Sequence, residues 1–363
     1  MNKLIKTSVL ILAVALFGIH STEAQEKKSN LKYVDAKTLN IINKIDQDCA
    51  PFSRINPEKY QARKSLGKTS TGLAILFRTN SRNIKAKWTT LKNQTGSNAT
   101  PIMHSGLDLY IRENGKWIYA GVGRPSFNSY EHEGTVVKRM DDSMKECMLY
   151  LPMHNGVTSL ELGIDENATI EPMESPFKYK IAVIGSSLTH GSSASRPGAT
   201  YVARLGRELN AEVPNIGLSG QCKLDTYFAN IVSGNEADAF IFDTFSNSTD
   251  EIIEERLYNF VKQITTAHPD KPMIFLQTVK RDIGYFDLGA RKRNDDQREA
   301  AERLMKDICK EFKNVYFLNP GLILPDNHEG SVDGTHLNDL GVQCTIEYLV
   351  PKLKKILKKY GVK

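Results

Sequence analysis

The segment "YKIAVIGSSLTHG", residues 179–191, decides the fold of the second half of the chain. Ile181 to Ile184 form a continuous apolar run, which is typical of a strand buried on both faces of a sheet. A glycine and two serines follow at once, and a helical pattern occupies residues 199–210. The segment therefore predicts a buried strand, a tight turn at its carboxyl end and a helix after it.

The chain after this segment repeats the order of strand and helix. Apolar runs that fit buried strands lie at 238–245, 271–279 and 314–320, and helical patterns lie at 249–267, 292–313 and from about 338 onward. Strands that alternate with helices favour a parallel sheet covered by helices on both sides. We therefore predict a three-layer α/β/α domain.

The chain before the segment has a different periodicity. Short runs rich in β-branched and aromatic residues succeed one another from about residue 70 to 170, without a long helical pattern between them. Asn114-Gly115 separates two such runs, as a two-residue hairpin turn requires. These features predict an all-β sandwich, jelly-roll-like, over residues 25–175 and place the α/β domain at 176–363.

The first 24 residues have the features of a secretory signal peptide. Two lysines precede an apolar stretch at residues 9–19, and Ala24 offers a small residue for cleavage. The stretch is shorter than a membrane-spanning helix requires. We therefore expect an exported protein, periplasmic or secreted, that begins near Gln25 and has no membrane span.

The charge of the chain does not indicate a nucleic-acid partner. The 363 residues carry a formal net charge of +6, and the excess is spread along the sequence. The densest basic run, "KLKKILKK" at 352–359, interleaves lysines with leucine and isoleucine, as the solvated face of an amphipathic helix does.

The cysteines and histidines show no metal-binding pattern. No CxxC pair and no HExxH spacing occur in the sequence. The sequence therefore indicates neither a metal nor an organic cofactor. One disulfide is compatible with an exported protein, but the spacing leaves its pairing open among Cys49, Cys147, Cys222, Cys309 and Cys344.

The turn after the first parallel strand is where chemistry is expected, because sites in such sheets lie beyond the carboxyl ends of the strands. A phosphate-binding P-loop does not fit, since Gly185 and Gly191 are one position too far apart and no lysine follows. A dinucleotide-binding GxGxxG motif is absent as well. What remains is a serine at the start of a helix, whose N-terminal dipole favours a developing oxyanion.

The loop "SVDGTHLND", residues 331–339, supplies what a serine nucleophile needs. A hydroxyl group is a poor nucleophile unless a base takes its proton, and His336 can be that base. Asp333, three positions earlier, can orient the imidazole through its other nitrogen. The alternative is structural: Asp333-Gly334 makes a turn, and His336 merely precedes a helix capped by Asn338 or Asp339.

Taken together, these segments resemble the SGNH, or GDSL-type, hydrolases, and the resemblance implies a three-layer α/β/α domain of the flavodoxin-like type. Four blocks carry the resemblance: Gly185-Ser186-Ser187-Leu188, Gly220, Asn247 and Asp333-Gly334-Thr335-His336. Gly106-Leu107-Asp108-Leu109-Tyr110 is similar to the GxDLY signature of the branch with an N-terminal β-domain. The third block departs from the usual GxND, because this chain has Phe245-Ser246-Asn247-Ser248.

The resemblance implies a role for each matched residue. Ser187 would be the nucleophile, His336 the base and Asp333 its orienting partner. The backbone N–H groups of Ser187 and Gly220 and the amide of Asn247 would form the oxyanion hole.

Two further residues are candidates for substrate binding. Arg196 could reach a polar or acidic substrate or could pair with a carboxylate of its own domain, and His190 could line the pocket or bond to backbone as a loop histidine.

The resemblance implies a serine esterase that hydrolyses small acyl esters, such as acetyl esters, on carbohydrates, and the N-terminal pattern adds that it is exported. No cofactor is needed for acyl transfer through an acyl-serine. Two alternatives stay open at the level of sequence. One is a lipid or thioester acylhydrolase, and the other is a catalytically silent glycan-binding protein. Oligomeric state is not indicated.

Overall fold

The computed structural model describes residues 30–61, 64–93, 95–321 and 323–362. The predicted signal peptide therefore lies outside the described residues. An antiparallel β-sandwich forms the N-terminal half, and a parallel sheet covered by helices forms the C-terminal half. Both predicted fold types are confirmed.

The sandwich consists of two antiparallel sheets, one of four strands in the order β1-β9-β4-β7 and one in the order β10-β3-β8-β5-β6 with β2 paired to β3. Its strands are β1 Leu31–Asp35, β2 Asn40–Ile42, β3 Ala74–Thr79, β4 Ile84–Thr90, β5 Leu107–Glu113, β6 Lys116–Gly123, β7 Glu131–Val137, β8 Lys145–Tyr150, β9 Val157–Asp165 and β10 Ile170–Pro172. Two short helices, α1 Lys64–Gly67 and α2 Pro101–Ser105, and a 3-10 helix at Ala36–Thr38 accompany them.

Alternation of side chains along the strands builds the sandwich core. Phe77 on β3, Trp88 on β4 and Leu149 on β8 are buried in one apolar cluster between the two sheets. The predicted hairpin turn is present between β5 and β6, with positive φ at Asn114 (48°) and Gly115 (78°). This is the backbone that an Asn-Gly turn favours.

The parallel sheet has five strands in the order β12-β11-β13-β14-β15. Its strands are β11 Ile181–Gly185, β12 Asn215–Gly217, β13 Ala239–Asp243, β14 Met273–Leu276 and β15 Val315–Leu318. Its helices are α3 Ser187–His190, α4 Tyr201–Leu209, α5 Thr226–Ser233, α6 Asp250–Ala267, α7 Leu288–Glu311 and α8 Asp339–Leu357. Three 3-10 helices lie at Pro197–Ala199, Asp282–Tyr285 and Lys358–Tyr360.

Strand β11 is buried on both faces, as its apolar run predicts. Ile181 and Val183 belong to the cluster that α4 and α8 cover, whereas Ala182 and Ile184 belong to the cluster beneath α5, α6 and α7. The strand order reverses direction at β11, with β12 on one side and β13 on the other. A crevice at such a reversal is where doubly wound sheets bind ligands.

The segment between β2 and β3 packs on the α/β domain, a feature that the sequence pattern did not reveal. Ile55 joins the apolar cluster of α5. The fully buried guanidinium of Arg54 donates hydrogen bonds of 2.8 Å to the carbonyls of Asn215 and Gly217. Because β12 is an edge strand, the segment covers an edge that would otherwise be open.

Among the described residues, no helix is long and apolar enough to cross a membrane. All five cysteines are free thiols in the structure.

Candidate active site

The turn after β11 presents Ser187 at the start of α3. Gly185 is required there, because a Cβ at this position would lie 2.1 Å from Thr189 Oγ1 and 2.7 Å from the carbonyl oxygen of Asp243. Ser186 points inward and is fully buried, whereas Ser187 is partly exposed. The turn therefore offers one of its two serine hydroxyls to solvent.

A continuous chain of hydrogen bonds joins the three predicted catalytic side chains. Ser187 Oγ lies 2.9 Å from His336 Nε2, and His336 Nδ1 lies 2.8 Å from Asp333 Oδ2. With the Nδ1 proton on the carboxylate side, Nε2 is free to accept the serine proton. The geometry is that of a nucleophile, a base and an orienting acid.

The loop that carries the base is held by its own backbone. Asp333 Oδ1 accepts hydrogen bonds from the N–H groups of Thr335 at 3.1 Å and His336 at 2.8 Å. Gly334 has a φ of 79°, which a residue with a side chain rarely adopts. Asn338 caps α8 by accepting from the N–H of Gly341, so the structural alternative for this loop and the catalytic geometry coexist.

Hydrogen bonds keep the orienting carboxylate charged. Burial acts to raise the pKa of Asp333, but bonds from the backbone and side chain of His336 and from the amide of Asn98 outweigh it. Together they lower the pKa of Asp333 to about 2. The side chain next to the imidazole is therefore an anion at any pH at which a histidine can act as a base.

The two other predicted oxyanion-hole residues follow the strands on either side of β11. Gly220 lies after β12, is exposed and has a φ of 70°. Asn247 lies after β13, and its Nδ2 donates to the carbonyl of Gln221 at 2.6 Å. That bond uses one of the two amide N–H groups and fixes the side chain beside the Gly220 loop, which leaves the second N–H for an oxyanion.

A buried carboxyl group supports the nucleophile turn from below. Asp243, the last residue of β13, accepts hydrogen bonds from Thr189 Oγ1 at 3.0 Å and from the hydroxyl of Tyr201 at 3.3 Å. Burial raises the pKa of Asp243, against hydrogen bonds from these residues that lower it. The contacts tie α3 to the neighbouring strand, and so fix the position of Ser187.

His190 does not present a free atom to the site. Its ring is fully buried, with Nε2 2.7 Å from the carbonyl of Met153 and Nδ1 3.0 Å from Ser219 Oγ. The ring also stacks on that of His154, with centroids 4.2 Å apart. These contacts match the expected alternative of a histidine bonded to the backbone, although His190 ends α3 rather than lying in a loop.

Arg196 is engaged by the GxDLY signature. Its Nη1 lies 2.7 Å from the fully buried Asp108 Oδ2 and 2.7 Å from the hydroxyl of Tyr110. The N–H of Gly198 donates to the same carboxylate oxygen at 2.7 Å. Of the two expectations for this arginine, the contacts match an ion pair within the protein, although the partner lies in the N-terminal domain rather than in its own. The signature thus fastens the sandwich to the segment between α3 and α4.

No sequence pattern singles out Asn98 as a residue of the site. This residue comes from the loop between β4 and α2, and its Nδ2 lies 3.1 Å from Asp333 Oδ2. Its only sequence signal is that of a polar loop residue, which carries no information about a partner 235 positions away.

A Ser–His–Asp chain at the strand ends of a flavodoxin-like sheet is the arrangement of a serine hydrolase. Residues 178–354 match the GDSL-like Lipase/Acylhydrolase family, and residues 31–170 match GxDLY, the "N-terminus of Esterase_SGNH_hydro-type". A GDSL-like lipase from Bacteroides ovatus is 42% identical, with a TM-score of 0.87 over 91% of this chain and 98% of that one. The chain therefore belongs to the GDSL-like lipase/acylhydrolase family and is a carboxylic ester hydrolase.

Two more distant structures share the fold. The salicylyl-acyltransferase SsfX3 from a tetracycline biosynthetic pathway is 19% identical, with a TM-score of 0.68 over 90% of this chain and 97% of its own. A family two carbohydrate esterase from Cellvibrio japonicus is 12% identical, with a TM-score of 0.61 over 91% of this chain and 98% of its own. Among curated proteins, none matches the sequence.

Proposed function

We propose that the protein is an exported serine esterase that removes small acyl groups, acetyl above all, from carbohydrates. The observation that carries the proposal is the chain of hydrogen bonds from Ser187 through His336 to Asp333, at 2.9 and 2.8 Å. His336 Nε2 lies within hydrogen-bond distance of the Ser187 hydroxyl, so the imidazole can take the serine proton.

The first half of the reaction forms an acyl-serine. His336 Nε2 takes the proton of Ser187 as Oγ attacks the ester carbonyl, and the carbonyl oxygen becomes an oxyanion. The N–H groups of Ser187 and Gly220 and the amide of Asn247 stabilise that charge. The ester bond then breaks, and His336 gives its proton to the departing alcohol.

The second half releases the acid. His336 takes a proton from a water molecule, which attacks the acyl carbonyl, and the same oxyanion donors act again. Collapse of the intermediate breaks the bond to Oγ, and His336 returns the proton to Ser187. Asp333 stays ionised throughout and stabilises the imidazolium that forms in each half.

Polar groups next to the triad support a hydroxyl-rich substrate. Ser219 and His154 are partly exposed, and both lie within 3.5 Å of the hydroxyl of Ser192, which follows α3. Such short polar side chains suit hydroxyl groups of a sugar better than a long acyl chain. The carbohydrate esterase with the same two-domain fold is in keeping with this substrate class.

Release of acetate from a panel of acetylated polysaccharides and oligosaccharides tests the substrate class. We expect turnover of an aryl acetate and of at least one acetylated carbohydrate, with little activity on aryl esters whose acyl chain has eight or more carbons. A preference for the long-chain esters would assign the protein as a lipid acylhydrolase instead. Binding of glycans without any ester turnover would assign it as a silent glycan-binding protein.

Export is a separate part of the proposal and rests on the N-terminal pattern of lysines, apolar residues and Ala24. Expression of the full chain in a bacterium should yield a shortened protein outside the cytoplasm. Its N-terminal sequence should begin near Gln25. A full-length product retained in the cytoplasm would contradict export.

A further inference from the structure

A loop of the N-terminal domain reaches the catalytic loop of the other domain. Asn98, between β4 and α2, is partly buried, and its Nδ2 lies 3.1 Å from Asp333 Oδ2 and 3.4 Å from His336 Nδ1. The amide must face the carboxylate with its nitrogen, because its oxygen would be repelled by the charged Oδ2. Two donors, the Asn98 amide and the His336 ring, thus converge on one carboxylate oxygen.

The position of Asn98 is fixed by contacts that do not involve its side chain. Its carbonyl accepts from Ser193 Oγ at 2.9 Å, and Thr100 Oγ1 donates to the carbonyl of Ser195 at 2.7 Å. Ser195 in turn donates through N–H and Oγ to Asp339 at the start of α8, at 2.9 and 2.6 Å. The loop is therefore anchored to the segments that carry both the nucleophile and the base.

We propose that Asn98 is a positioning residue, which holds Asp333 in the orientation that the His336 ring requires, so that the N-terminal domain completes the catalytic centre. The inference rests on the proposed roles of Ser187, His336 and Asp333.

The two oxygens of Asp333 show why a second donor matters. Oδ1 takes two backbone N–H groups of its own loop and is fixed by them. Among the described residues, the donors to Oδ2 are the imidazole and the Asn98 amide. Without the amide, water competes for Oδ2, and the carboxylate can turn away from the imidazole. The His336 ring is then less restrained, and its Nε2 lies within hydrogen-bond distance of Ser187 Oγ for a smaller fraction of the time.

Kinetics of Asn98→Ala with an aryl acetate test the proposal. Loss of a hydrogen bond to a charged group predicts a decrease in kcat of about 10- to 100-fold. KM should change by less than about threefold, since the aryl acetate need not contact this loop. Asn98→Asp should be slower still, because it replaces the donor by a second negative charge. Ser97→Ala, at an exposed neighbour in the same loop, is the matched control and should behave as wild type.

Two further measurements separate positioning from a general structural effect. The rate of inactivation by an aryl phosphonate reports activation of Ser187 without the ester substrate, and it should fall with kcat in Asn98→Ala. In a double-mutant cycle with Asp333→Ala, the Asn98→Ala change should cause no further decrease in kcat once the Asp333 carboxylate is removed. This comparison holds even where Asn98→Ala lowers the melting temperature.

The outcomes distinguish this inference from the proposed function. Wild-type protein that neither turns over aryl acetate nor reacts with the phosphonate would refute the serine mechanism itself. An active wild type, together with an Asn98→Ala variant whose kcat is within twofold of the wild-type value, would refute only the role of Asn98. Fully additive effects of the Asn98 and Asp333 changes would refute it as well.

Discussion

His336 Nε2 lies 2.9 Å from Ser187 Oγ, although 149 positions separate the two residues. Ser187 follows the first strand of the parallel sheet, and His336 lies in the loop before the last helix. Four strands and four α-helices, β12 to β15 and α4 to α7, intervene in the chain. The contact forms because parallel strands collect their carboxyl ends at one edge, where α8 packs beside α4 on the same face.

Ser187→Ala should abolish most activity, whereas Ser186→Ala should not. Loss of a triad serine lowers kcat on the order of 10³- to 10⁶-fold. Ser186 Oγ is buried without a hydrogen-bond partner among the described residues, so its removal leaves no donor or acceptor unsatisfied. The adjacent serine is therefore the natural control.

Steady-state kinetics and thermal melts of both variants check this prediction. Ser186→Ala should keep wild-type kcat and equal or exceed the wild-type melting temperature. If the two variants exchanged behaviours, Ser186 would be the nucleophile and the contact with His336 would have no catalytic meaning.

Asn247→Ala should act on the transition state rather than on substrate binding. Removal of one oxyanion donor costs about 2.7–4 kcal/mol of transition-state stabilisation, which appears in kcat. Because the Asn247 amide also donates to the carbonyl of Gln221, the variant loses some order in the Gly220 loop as well. A raised KM with intact kcat would mean that Asn247 binds substrate instead.

The sequence was informative wherever periodicity or a local motif determines the structure. The apolar run at 181–184, the Asn114-Gly115 turn and the long amphipathic helices all occur where their patterns predict them. The helix predicted at 249–267 is observed at Asp250–Ala267. Such features depend on residues within one or two turns of each other, so a single sequence contains the necessary information.

Contacts between distant segments could not be predicted in the same way. The sandwich pairs β1 with β9 and β4 with both β7 and β9, and no local pattern encodes those choices. Asn98 and Asp333, which are in contact, lie 235 positions apart in the sequence. Arg54 and the strand β12 that it contacts lie at least 161 positions apart. Each depends on how whole domains pack, and the side chains themselves look like ordinary polar residues.

Arg196→Met should weaken the attachment of the two domains. The substitution removes the cation that is hydrogen-bonded to the fully buried Asp108, although the charge of Arg207 still acts on this carboxylate. Breaking a buried ion pair from one side costs about 3 kcal/mol. Burial already raises the pKa of Asp108 against the opposing charge of Arg196, so loss of the guanidinium favours protonation of the carboxyl group.

Calorimetry of Arg196→Met checks this prediction, with Arg204→Met as the control. Arg204 donates to the neutral amide of Gln343 at 2.6 Å, so its loss should cost only about 0.5–1.5 kcal/mol. Adding Asp108→Asn to Arg196→Met should recover part of the loss. Equal melting temperatures for the two arginine variants would show that the GxDLY contact contributes little to stability.

The stability of the folded protein should decrease as the pH falls below about 6.5, because three stacked histidines resist protonation. The rings of His104 and His154 lie 6.1 Å apart, and those of His154 and His190 lie 4.2 Å apart. Burial, followed by the charge of Lys92, lowers the pKa of His104 to about 4, and burial lowers that of His154 to about 3. Burial also lowers the pKa of His190 well below its usual range.

The direction of this pH dependence follows from the number of protons that the folded and the unfolded chain bind. An unfolded histidine titrates near pH 6.5, so between that value and about pH 4 the unfolded chain binds protons that the folded stack does not. The free energy of unfolding therefore falls with pH through this window. Asp333, whose pKa is lowered to about 2, decreases the free energy of unfolding only below the usual aspartate pKa near 4. The effects of the histidines and of Asp333 are therefore separable.

Urea unfolding at pH 7.5, 6.5, 5.5 and 4.5 measures this dependence. His104→Asn removes one of the three rings without touching the Ser219 contact of His190, and it should make the decline with falling pH shallower. Ser187→Ala leaves all three rings in place and should keep the wild-type slope, which separates acid unfolding from acid loss of catalysis. A His104→Asn protein that declines as steeply as wild type would show that this ring accepts a proton in the folded state as readily as in the unfolded one.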